Sequence, residues 1–82
     1  MDTEKLQNRL DAVKLKLKAL IDKQITTFGA NDNLVSDSFA ACSIYSQFFN
    51  DYKNDSSIVS DEIFTSQFNK ATQLLDLVEP EL

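Results

Sequence analysis

Leu6, Leu10, Val13, Leu17 and Leu20 follow one another at intervals of four, three, four and three. That spacing is the stripe of an amphipathic helix, close to a coiled-coil seam. Ile21, Ile25 and Phe28 carry it to one side, as a straight helix drifts against a seven-residue repeat. The pattern predicts one unbroken helix over 3–28, about seven turns at ~3.6 residues per turn. Asp2 or Thr3 can cap it, with Met1 and Leu6 placed as a hydrophobic staple. Gly29 stands where a C-cap is expected, and Asn31, Asp32 and Asn33 offer N-caps for a second helix.

That second helix, over 33–52, is the most apolar element. Leu34, Val35, Phe39, Ala41, Cys42, Tyr45, Phe48, Phe49 and Tyr52 cover more than half its circumference, Ile44 widens the arc, and such girth implies cover on two sides. After a polar break, Asn50 to Ser57, Ser60 can cap a third helix over 61–79. Asp61 and Glu62 then sit in the first turn, where the helix dipole favours negative charge. Phe64, Phe68, Ala71, Leu75 and Val78 repeat the four-three spacing, with Ile63, Leu74 and Leu77 broadening the face. Pro80 restricts the residue before it and ends the helix, leaving a loose tail over 80–82.

The expected fold is therefore all-α: a single domain over 1–82, built as an antiparallel up-down-up three-helix bundle with a long first helix. That helix should exceed the others by about seven residues, roughly 10 Å at ~1.5 Å per residue. The surplus end and the broad apolar surface of the second helix predict self-association, most simply as a homodimer.

Composition adjusts this picture in a few places. Eighty-two residues, 43% of them apolar with six Phe, suffice for one small core, near the size at which oligomerisation often helps. One Gly and one Pro leave little turn chemistry for an all-β fold. No apolar run approaches the ~18 residues of a membrane span and no leader pattern is present, so the expected address is cytoplasmic, with no membrane partner. Cys42 is the single cysteine and reads as a small core hydrophobe. Charge is uneven. Residues 1–28 carry six cations against four carboxylates, a balance of +2, and residues 29–82 carry two against nine, a balance of -7. The first helix is the basic companion of two acidic ones.

Chemistry is sparse. The chain has no His, which removes the commonest general base and zinc ligand. Its one Gly cannot build a phosphate loop. Asp51 to Glu62 has the length of a calcium loop, but Lys53 holds a ligand position and Ser56 replaces the turn glycine, so it reads as a linker. Neither metal nor organic cofactor is expected. Lys5, Arg9, Lys16 and Lys23 share one edge of the first helix, an edge read as a charge match to the acidic helices. The excess of carboxylates argues against direct nucleic-acid binding.

What remains is a non-enzymatic protein-protein interaction module, such as a small inhibitor, immunity or antidefence protein, an assembly adaptor or a secretion chaperone. The alternatives are an acidic decoy that mimics nucleic acid and a small ligand sensor or enzyme, which the empty checklist of acid, base and nucleophile disfavours. Two strips are candidate partner-binding surfaces. Ala12, Leu15 and Ala19 lie opposite the main stripe of the first helix. On the second, Ser36, Ala40, Ser43, Gln47 and Asn50 form a small, polar, uncharged seam that allows close helix approach.

Overall fold

Leu6, Leu10, Val13 and Leu17 are buried to 4% exposure or less and form one wall of the core. The computed structural model describes residues 3–24, 27, 28, 31, 32 and 34–82. Three helices account for most of them: α1 (Thr3–Asp22), α2 (Leu34–Asn54) and α3 (Asp61–Val78). Met1 and Asp2, read as staple and cap, and Asn33, read as a cap, lie outside the described residues.

The first helix is shorter than its pattern promised, ending at Asp22 rather than at residue 28. Its last turn is closed by Lys23 N–H donating to the Ala19 carbonyl at 3.2 Å and Gln24 N–H donating to that of Ile21 at 2.9 Å. Gln24 then takes φ 62°, the left-handed conformation that turns a chain out of a helix. The next residues, Ile25, Thr26 and Thr27, are β-branched, which weakens helix and favours extended backbone. Thr27–Phe28 (β1) accordingly pairs antiparallel with Asn31–Asp32 (β2), in the register Thr27 to Asp32 and Phe28 to Asn31. Gly29, read as a C-cap, lies outside the described residues, and Asn31 and Asp32 belong to the ladder rather than to a cap. With helices of 20, 21 and 18 residues, α1 has no surplus end, and the first argument for a dimer loses its basis.

All three helices meet one another, α1 and α3 directly as well as through α2. Val35, Cys42 and Phe49 are fully buried along it, and it packs on both α1 and α3. Against α3 the contact is aromatic. Phe49 meets Phe64 and Phe68 edge-on at 5.8 and 6.2 Å, and Tyr52 stacks on Phe64 at 4.2 Å. Against α1 it is polar at the margin. Gln7 donates to the Ser46 carbonyl at 3.4 Å, the Ser46 hydroxyl donates to Asp11 at 3.0 Å, and Lys14 Nζ sits 6.0 Å from the Phe39 ring centre.

The break after α2 is built by short side chains. Asp55 accepts from the backbone N–H and hydroxyl of Ser57 at 3.0 and 2.6 Å, starting a 3-10 turn over Ser56–Ile58, and these bonds hold its carboxyl below the usual range. Ser60 caps α3 as its sequence position predicts, its hydroxyl accepting from Ile63 N–H at 3.3 Å. Phe64, Ala71, Leu75 and Val78 complete the core. Helix α3 stops at Val78 and gives way to a 3-10 turn, Glu79–Glu81, containing Pro80. Arg9 joins α1 to this end, donating from Nε to Glu79 at 3.0 Å and from Nη2 to Asp76 at 3.3 Å. The charge match expected of the basic edge is thus realised at Arg9.

Candidate protein-binding surface

Cys42 and Ser38 show what the interior withholds from chemistry. Burial pushes the Cys42 thiol up to about 11, against a smaller opposing pull from Lys14, and the thiolate rather than the thiol is the reactive form. Ser38 is 1% exposed and its hydroxyl has no hydrogen-bond partner among the described residues. A recess of about 350 Å³ opens between the start of α1 and the end of α2, where Glu4, Gln7, Tyr52 and Lys53 surround the edge of Phe49. Thr3 and Ser56 bring hydroxyls to its lining as well, and among the described residues neither is hydrogen-bonded to a base in the way group-transfer chemistry needs. No group of three or more carboxylate or thiol ligands stands together among the described residues. Asp51, first position of the calcium-loop pattern, lies within α2 and accepts from Gln47 at 2.8 Å.

The two strips singled out from sequence face solvent, but they do not form one surface. Leu15 is 72% exposed and lines a shallow groove with Asp11, Lys14, Lys18 and Phe39, between α1 and α2. Ala12 lines a different groove, toward α3, with Arg9, Lys16 and Glu79. Ala19 is exposed. On α2, Ser36, Ala40, Gln47 and Asn50 are exposed and Ser43 is half-buried, its hydroxyl donating to the Phe39 carbonyl at 3.0 Å. Leu15 has only Ala and polar neighbours one turn away, and a singly exposed Leu is ordinary in a folded protein.

Other large apolar side chains are exposed on α2 and α3. Ile44 is 68% exposed, Ile63 49% and Leu77 61%. Sequence reading treated all three as breadth added to buried faces. The structure instead leaves all three exposed, with Ile44 at the groove between α2 and α3. The groove between the two helices is lined by Ala41, Ile44, Tyr45, Gln67 and Lys70. Residues seven apart on a helix project in nearly the same direction, so Asp37, Ile44 and Asp51 form one ridge on α2, and Ile63, Lys70 and Leu77 form the facing ridge on α3. Successive members stand about 10 Å apart at ~1.5 Å per residue.

No helix among the described residues is long and apolar enough to cross a membrane. Comparison with protein-family models, with curated proteins and with solved structures finds no match to this chain.

Proposed function

We propose that this chain is a non-enzymatic protein-binding domain that docks a partner on the outer α2–α3 face. The observation that carries the reading is three large apolar side chains, Ile44, Ile63 and Leu77, about half or more exposed on α2 and α3, with Ile44 lining the groove between these helices. Large apolar side chains left exposed on one face and set among polar residues are what interaction sites present. The proposal includes an up-down-up course of the helices. It is supported by Lys14 lying near Phe39 while Glu4 and Lys53 line one recess, and by Tyr52 meeting Phe64 while Tyr45 lies near Lys70. A rigid scaffold of this kind presents two helices side by side, the geometry that receives a helix in a groove.

Site-specific photocrosslinking in cells of the source organism tests the reading. A photoreactive residue at position 44 or 77 should give a discrete heavier adduct, and the same residue at position 15 should give none. Adducts from position 15 alone would move the interface to α1 and reject this face. Self-association draws on the same stripe, and an adduct of twice the chain mass would identify it.

A further inference from the structure

The charges that flank the α2–α3 face state the chemistry of its occupant. On the α2 ridge, Asp37 and Asp51 stand on either side of Ile44, and Glu62 adjoins Ile63 at one end of the α3 ridge. All three carboxylates are exposed, and none is in an ion pair among the described residues. Lys70 is the one cation on the two ridges, at the middle of α3. The face therefore reads acid, apolar, acid along one edge and apolar, cation, apolar along the other.

We infer that the occupant is a basic amphipathic helix of another protein, carrying two Lys or Arg side chains fourteen residues apart on one edge with an apolar residue midway. This rests on the docking face proposed above and deepens it. The fourteen residues from Asp37 to Asp51 correspond to about 21 Å at ~1.5 Å per residue, which fits within the 39 Å long dimension of the molecule. The partner's basic pair meets these carboxylates, its midpoint side chain packs beside Ile44, and a carboxylate on its other edge meets Lys70.

A second copy of this chain is a poor occupant for two reasons. Its basic helix, α1, has its apolar stripe Leu6, Leu10, Val13 and Leu17 committed to its own core. A two-fold antiparallel pairing of this face centred on Ile44 would set the carboxylates of Asp37 and Asp51 against one another, and like charges brought together at an interface oppose association.

The test uses the full chain and two synthetic helical peptides of about 20 residues, long enough for a ~30 Å helix. One carries the basic pair at the stated spacing with Leu along the adjoining face; the other has Glu in place of each Lys. Titration calorimetry should show the basic peptide binding at least about tenfold tighter than the acidic one, with the gap narrowing as salt is raised. Asp37→Asn with Asp51→Asn should remove most of that preference, whereas Asp61→Asn with Glu81→Gln, equal in charge but off the ridges, should leave it. Ile44→Ser with Leu77→Ser should abolish binding of both peptides while the circular dichroism spectrum stays helical, since both side chains are mostly exposed.

Equal binding of the two peptides, sensitive to Ile44→Ser with Leu77→Ser, would overturn the basic partner and leave the docking face standing. Binding indifferent to those two substitutions, or no binding at all, would overturn the basic partner together with this use of the face. A dimer in sedimentation equilibrium that the same two substitutions dissociate would overturn the choice of another protein over a second copy.

Discussion

Replacing Ser38 with Ala should stabilise the protein, although the site is in the core and the change removes an atom. Ser38 lies in line with Val35, Cys42 and Phe49, at 1% exposure, and its hydroxyl makes no hydrogen bond among the described residues. Other hydroxyls in these helices find a partner one turn back. Ser43 donates to the Phe39 carbonyl at 3.0 Å and Thr72 to that of Phe68 at 2.9 Å, as serine and threonine within helices usually do. An unpaired buried hydroxyl costs about 1–3 kcal/mol, and Ala is favoured over Ser in a helix by about 0.5 kcal/mol. Against these stands a void the size of one oxygen. At roughly 24 cal/mol per Å³ it costs a few tenths of a kcal/mol. The net expectation is a gain of about 1–2 kcal/mol, or roughly 4–8 °C in Tm per kcal/mol for a domain this small.

Urea unfolding followed by circular dichroism measures this directly, provided the slope m is unchanged between variants. Ser66→Ala, at an exposed position in α3, serves as the reference for helix propensity alone and should gain only about 0.5 kcal/mol. The quantity of interest is the difference between the two substitutions. If Ser38→Ala is destabilising relative to Ser66→Ala by about 1 kcal/mol or more, the hydroxyl has a partner and the reasoning fails.

Cys42 should resist an aromatic disulfide reagent in the native protein and react at the rate of global opening, because burial both shields the thiol and raises it from 9.0 to about 11. Since the folded value lies above the unfolded one, the thiol's contribution is fully present below the unfolded value and is lost as pH rises through the folded value. Wild-type stability should therefore fall relative to Cys42→Ala between 9.0 and about 11; parallel pH profiles would refute this. Gln24→Gly should stabilise by about 0.5–1 kcal/mol, because φ 62° costs a residue with a Cβ more than it costs glycine. A loss of stability in thermal unfolding would show that the Gln24 side chain contributes more than its backbone conformation costs.

How much of this was legible in the sequence depends on the kind of signal. The stripe from Leu6 to Leu17, the heptad spacing of α3 and the Ser60 cap were all readable, because each is a local pattern enforced by the helix repeat itself. The end of α1 was not. Apolar spacing ran on through Ile21, Ile25 and Phe28, and the residue that turns the chain is Gln24, which has no left-handed preference to announce. Ser38 was missed because serine is usually at the surface, although its place between Val35 and Cys42 put it on the core side. The apolar breadth of α2 and α3 was visible, yet periodicity says how wide a face is without saying whether a neighbour covers all of it. Ile44, Ile63 and Leu77 fall in that gap.

The imbalance of charge along the chain gains a physical meaning once the helices are placed. Arg9 draws Asp76 and Glu79 to α1, and Lys18 is paired within α1 with Asp22 at 3.6 Å. Asp37, Asp51 and Glu62 are exposed and remain outside these pairs. If the acidic surplus of residues 29–82 served only to hold the bundle together, those positions would be the wrong ones to charge. Placed beside exposed Ile44 and Ile63, they have two effects that work together. On the proposed docking, like-charge repulsion would oppose pairing of the ridges of separate molecules, and the same carboxylates would favour an apolar partner that brings cations. On that reading, a face without these charges would bind more kinds of partner and itself, and the ridge that alternates acid, Ile44 and acid would exchange that breadth for selection.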